Sequence, residues 1–348
     1  MSVGNGTRNI GLDLLRIFAC MIVVTYHFRP SGDLYGPPEI HFDSSWIPST
    51  LLQFTKYNYL GADIFFLLSG FLIADSALRI SSTHFATSRI NRIFPSLIFC
   101  SILTMFFNWA TSGIDSHDIW QVTGLHLFYN FTGASFLISD TWSLVFELRF
   151  YLLMYILLRI RKSVSQSDLV LFALGIGIFP ILLDQIRDID SSSSNSINLY
   201  LYFSFGILLN VQRNNHAKRV LFPLLLIGLL CLNMSRMRIE QISNPSSKQL
   251  LFVCLIAAYA LLIVIFSRNF HIGNVAIANY IRISALMTYP LYLLHENLGL
   301  GMVEYLYKLG VSTKVGYSFA ILCCIVISWF IVTFVEPVFR IRIGESRK

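Results

Sequence analysis

The sequence predicts an all-α, polytopic transmembrane helix bundle of about ten spans, with both termini in the cytoplasm. Three observations carry that prediction. Of the 348 residues, 55% are hydrophobic and only 13% charged, and the mean hydropathy is +0.63, far too apolar for a water-soluble globule. The apolar residues gather in runs of about 20, the length a helix needs to cross roughly 30 Å of hydrocarbon. Lysine and arginine concentrate in alternate connections between those runs, the pattern that orients a multi-span chain during insertion.

The expected spans cover 10–29, 52–77, 93–110, 142–160, 168–184, 196–212, 219–234, 249–267, 281–303 and 315–339. Asp13 and Arg16 interrupt the first, and no small-residue cleavage site follows it, so it reads as a retained span and not a signal peptide. The connection after the second span carries Arg79, Arg89 and Arg92, that after the fourth Arg159, Arg161 and Lys162, and that after the sixth Arg213, Lys218 and Arg219. The tail adds Arg340, Arg342, Arg347 and Lys348. The intervening loops are longer and richer in acid, with Asp33, Glu39 and Asp43 in the first and Asp115, Asp118 and Asp140 in the third. Asp184, Asp188 and Asp190 occupy the fifth, next to the serine run 191–194. Only 235–248, with Arg236, Arg238 and Lys248, departs from the alternation. No linker divides the chain. Residues 1–348 read as a single membrane-embedded domain with no appended soluble domain, so the chemistry belongs to the bundle.

The net charge of +7 is accounted for by short basic loops, and nucleic acid is not an expected partner. The six cysteines, at 20, 100, 231, 254, 323 and 324, lie in or beside apolar spans without paired loop spacing. Neither a disulfide framework nor a metal site is expected.

Ionisable residues inside spans mark function, because hydrocarbon tolerates them poorly. In the first span Asp13, Arg16, Cys20 and His27 fall within about 60° of one another, forming one polar stripe. Arg16 and His27 are separated by roughly 16 Å along the axis, about half the hydrocarbon thickness. With the N-terminus inside, Arg16 belongs to the cytoplasmic third and His27 to the outer face. The second span begins GADIFFLLSG, which puts Asp63 near the depth of His27 and Ser69 near the middle. A carboxylate at that depth suits an imidazole acting as general base.

Arg89 and Arg92 in the cytoplasmic loop SRINRIFP share a helical face just before Pro95. Together with Arg16 they suit a multiply phosphorylated ligand, since guanidinium forks bind phosphate bidentately. The fourth span, DTWSLVFELRFYLL, brings Trp142 at the interface and Glu147 with Tyr151 on one face; the ninth, TYPLYLLHEN, brings Tyr292 and His295 to the outer half. Glu336, ahead of Pro337 and Arg340, reads as an interfacial ion-pair partner. Sorted by depth, Arg16, Arg89, Arg92 and Glu336 are cytoplasmic, and His27, Asp63, Trp142, Glu147 and His295 are central to exterior.

These residues, in this order, resemble the acyltransferase family 3 of integral membrane proteins, particularly bacterial O-antigen and lipopolysaccharide O-acetyltransferases. The likeness rests on Arg16 with ten residues before His27, DIFFLLSGF from Asp63, Arg89 and Arg92 before Pro95, WSLVFE followed by Tyr151, YPLYLLH ending at His295, and VEPVFR near the C-terminus. Ser88 stands where many members have a further Arg, and Thr288 where Ser is usual. The resemblance implies transfer of an acetyl group from cytoplasmic acetyl-CoA to a sugar hydroxyl of O-antigen, lipopolysaccharide or a related polysaccharide beyond the bacterial inner membrane. It implies His27 and Arg16 as the leading catalytic pair, with Asp63 or Glu147 orienting the imidazole. Arg89 and Arg92 become coenzyme contacts, joined by Arg16 and Ser69, while Trp142, Tyr151, Tyr292 and His295 face the acceptor. The partners are then the lipid bilayer and a polysaccharide or lipid-linked oligosaccharide. The rival from another class is a proton-coupled transporter or lipid-linked sugar exporter, with His27, Asp63, Glu147 and His295 as a proton relay.

Overall fold

The computed structural model describes residues 9–28, 48–49, 52, 55, 57–112, 141–161, 163–187, 199–215, 218–242 and 272–339. Among these residues the chain is helical, with no strand. In chain order the helices are α1 (Ile10–His27), α2 (Leu60–Ala77), α3 (Ser82–Ser112), α4 (Thr141–Ile160), α5 (Gln166–Arg187), α6 (Tyr200–Asn215), α7 (Lys218–Ile242) and α8 (Val275–Leu294). A π-helical segment, His295–Leu300, leads into α9 (Gly301–Lys308); α10 (Thr313–Phe330) leads into a second, Ile331–Val335, and a last turn, Glu336–Val338. The expected eighth span, 249–267, lies outside the described residues.

Four helices among the described residues are long and apolar enough to cross a membrane: Ile10–His27, Leu60–Ala77, Ser82–Thr111 and Thr313–Val338. Across the described helices the outward faces stay apolar, with Phe106, Leu152, Leu171, Phe222 and Phe334 exposed, as a lipid-facing surface requires. Polar side chains instead point inward: Asp13, Asp63, Ser204, Asn210, His295 and Glu296 are all buried.

The segment carrying Arg89 and Arg92 is helix and not loop. α3 runs unbroken from Ser82 through Pro95; the missing proline N–H forfeits one ladder bond, which membrane helices tolerate where neighbours supply partners. Both arginines are thereby fixed on a rigid element.

Two packing contacts position the site. α6 lies tightly against α2, because Gly70 faces the Phe203 carbonyl and Gly206 faces the Leu67 carbonyl with no room for a Cβ. Small residues allow this backbone approach where no hydrophobic force draws helices together. Asn210 Nδ2 donates to the Phe71 carbonyl at 2.9 Å and Ser204 Oγ to the Ala173 carbonyl at 2.7 Å, which ties α6 to α2 and α5. The second contact joins α1 to α8: Cys20 Sγ donates to the Thr288 carbonyl at 3.5 Å, and seven residues on in each helix His27 meets His295. The two helices therefore run parallel and in register.

Overpacking a tight contact destabilises by about 1–3 kcal/mol or more. Gly206→Leu is expected to lower the thermal midpoint of the detergent-solubilised protein by several degrees or to abolish its folded peak in size-exclusion chromatography. Gly175→Ala, which meets nothing within 4 Å, should leave both unchanged.

Candidate active site

His27 is the last residue of α1, and its Nδ1 faces Glu296 Oε1 at 3.5 Å. Its ring stands edge-on to His295 at 5.1 Å between centroids and to Tyr26 at 5.0 Å. His295 is fully buried, stacked on Phe28, and its Nδ1 lies 2.8 Å from the Tyr292 carbonyl. A carbonyl only accepts, so His295 Nδ1 carries a proton.

Inward of this pair a cavity of about 60 Å³ opens between four helices. Phe65 and Ser69 of α2, Arg92 of α3, Ser143 and Glu147 of α4, and Tyr289 and Tyr292 of α8 line it. Glu147 Oε1 accepts from Ser69 Oγ at 2.9 Å and from the Tyr151 hydroxyl. Ser143 Oγ shares a hydrogen bond of 2.9 Å with the Tyr292 hydroxyl. Arg92 is exposed and also lines the cavity. It feels Glu147, Glu336 and the phenols of Tyr151 and Tyr289 electrostatically.

Below the cavity the Arg89 guanidinium lies 5.5 Å from the Phe85 ring and 5.6 Å from the Tyr151 ring, a double cation–π arrangement. Its Nε donates to Ser88 Oγ at 3.2 Å. Ser96 Oγ donates to Glu336 Oε1 at 2.8 Å. Glu336 thus faces α3 and Arg92; Arg340, its expected partner, lies outside the described residues.

Several expectations change on this geometry. The carboxylate beside His27 is Glu296, in place of Asp63 or Glu147. A Cβ on Gly61 would abut Ala19, Ile22 and Val23, so Asp63 sits more than a turn inward of His27. It is buried, 5% exposed, within electrostatic reach of the Cys231 thiol on α7. Glu147 is committed to Ser69, Tyr151 and Arg92. Arg16 Nη1 lies 3.4 Å from Asp13 Oδ1 on a helix packed against α2 and α8, whereas α3 packs against α4 and α8. Arg92, expected at the cytoplasmic edge, reaches the same cavity as Glu147. Tyr292 and His295 do stand together; the side chain of Trp142 lies outside the described residues.

Sequence reasoning passed over Glu296, although a carboxylate directly after His295 in an apolar helix was visible. Nothing in the sequence announced the π-helical turn that presents it.

The family model described as an acyltransferase domain matches residues 9–333. The chain is 28% identical over 199 residues to the "O-acetyl transferase" of Shigella phage Sf6, covering 47% of this chain and 56% of that protein. It is 30% identical over 192 residues to "Nodulation protein 10" of Rhizobium leguminosarum bv. viciae, covering 49% of this chain and 50% of that one. The chain spans about half the length of the curated relatives it matches. No solved structure matches it. The transporter reading gives way here, because the family match runs through every helix that lines the cavity. The chain, with four described helices long and apolar enough to cross a membrane, belongs to the acyltransferase family 3.

Proposed function

We propose that the enzyme moves an acetyl group from cytoplasmic acetyl-CoA to a sugar hydroxyl of O-antigen, lipopolysaccharide or a related polysaccharide, acting in the bacterial inner membrane with both termini inside. The observation that carries this reading is the cavity on which polar groups of four helices converge, Ser69, Arg92, Ser143, Glu147 and Tyr292 among them, with the Tyr292 carbonyl against His295 Nδ1. A phosphorylated coenzyme needs cations, and α3 supplies Arg89 and Arg92, the second of which borders the cavity. The name of the phage relative, an O-acetyl transferase, supports acetyl as the group moved.

In the direct route His27 takes the proton of the sugar hydroxyl as its oxygen attacks the thioester carbonyl carbon. The new C–O bond forms, the C–S bond breaks, and the imidazolium returns its proton to the departing thiolate. Arg92 stands where charge building on the thioester oxygen would be stabilised. In the two-step route His27 first accepts the acetyl group itself, releasing coenzyme A before the sugar attacks. The two differ in one observable: an acetylated enzyme accumulates with donor alone only in the second.

Transfer of labelled acetyl from acetyl-CoA to polysaccharide in membranes tests the reading. His27→Ala at matched expression should lower the rate about 10²–10⁴-fold, the range of a lost general base. Wild-type rates in that variant would remove His27 from the mechanism.

Arg89→Ala should raise KM for acetyl-CoA about ten- to hundredfold with little change in kcat, the effect of losing one charge-assisted contact of about 1.5–3 kcal/mol. An unchanged KM would show that the donor is held elsewhere.

A further inference from the structure

We infer that Glu296 is the positioning residue for His27 and that the π-helical turn His295–Leu300 exists to present it; this rests on the acyl-transfer reading for its catalytic meaning, though not for its geometry. An α-helix points one narrow stripe inward, and consecutive residues diverge by about 100°. A π turn carries an extra residue and widens that stripe, and such turns recur at functional sites. Here His295, Glu296, Leu298 and Gly299 are all buried together. Two adjacent ionisable side chains thereby converge on the same imidazole, His295 through its ring and Glu296 through Oε1.

The carboxylate is deeply placed, 6% exposed, in an apolar setting where a side chain of this kind is costly without a role. Its neighbours hold the turn in place. Phe28, next to His27, stacks on His295 at a 20° interplanar angle and comes within 2.9 Å of where a Cβ on Gly299 would be. Cys324 Sγ of α10 points to the Leu294 carbonyl at 3.9 Å. The end of α1 and the π turn are thus clasped against each other, and Glu296 has a fixed approach to Nδ1 of His27.

That approach dictates a tautomer. A carboxylate accepts and does not donate, so it draws the His27 proton to Nδ1 and leaves the lone pair on Nε2, the atom that would take a hydroxyl proton or an acyl group. At 3.5 Å the pair is an ion-pair contact longer than a hydrogen bond, and catalytic contacts in unliganded sites often tighten only when substrate binds. The role is the one a carboxylate plays behind a catalytic imidazole in unrelated hydrolases, and supporting residues of this kind change rates about ten- to hundredfold.

The test joins a spectroscopic readout to a kinetic one in the full-length protein. Nitrogen-15 spectra of histidine-labelled enzyme, with the His27 signals assigned by their loss in His27→Ala, should show the proton on Nδ1. In Glu296→Gln it should redistribute between the two nitrogens. The same variant should lose about ten- to hundredfold in kcat with KM for donor and acceptor unchanged, and Glu296→Asp should recover part of that loss. In a His27→Ala background Glu296→Gln should cost nothing further. A wild-type kcat in folded Glu296→Gln overturns the proposal, as does an unaltered tautomer. If Glu296→Gln does not fold, Glu296→Asp carries the test: reduced kcat at constant KM supports the assignment, and a wild-type kcat overturns it. Should the wild type transfer no acetyl group to any acceptor, the spectrum alone decides, so positioning by Glu296 stands or falls separately from the reaction.

Discussion

A polar or charged side chain in hydrocarbon must find its partners inside the protein, because no water waits there to receive it. That constraint accounts for most of the architecture. The outward faces carry Phe106, Leu171 and Phe222, while the imidazoles, carboxylates and guanidiniums turn toward one another across four helices. Glu147 serves Ser69 and Tyr151, and Glu336 serves Ser96. His295 leans on the Tyr292 carbonyl. Each pairing satisfies one group and aims another, so the network that makes insertion tolerable is also the one that shapes the site.

The depth gradient of charge gives the cavity its polarity. Arg89 lies over two aromatic rings, which holds a cation without neutralising it. Tyr151 is shared: its ring supports Arg89 and its hydroxyl meets Glu147. Arg89 and the polar lining of the cavity are therefore connected through one phenol, with Arg92 beside it.

Helix periodicity made His27, Arg89, Arg92, Glu147, Tyr292 and His295 legible in the sequence, since spacing determines the face and the depth of a residue along its own helix. Spacing says nothing about which neighbour a face meets. Asp63 illustrates the loss: its place in α2 was read correctly, yet α2 presents it toward α7 and Cys231 and not toward His27. Arg16 was likewise aligned with His27 on one helix, and the carboxylate it meets is Asp13, three residues earlier on that same helix. Pro95 suggested the end of a loop, although membrane helices absorb proline within their length. The π turn escaped altogether, because HENLGL carries no local signature that separates a widened turn from an ordinary one.

The parallel register of α1 and α8 has a consequence for how such a chain can vary. Cys20 meets Thr288 and His27 meets His295 across equal seven-residue intervals, so the two helices act as matched rulers. Inserting or deleting one residue in either interval would slide its histidine by about 1.5 Å and swing it through about 100°. Side-chain substitutions along the interval are absorbed locally, whereas a change of length in one helix needs an equal change in the other. The distance from thiol to imidazole is thus a dimension of the active site written into two separate parts of the chain.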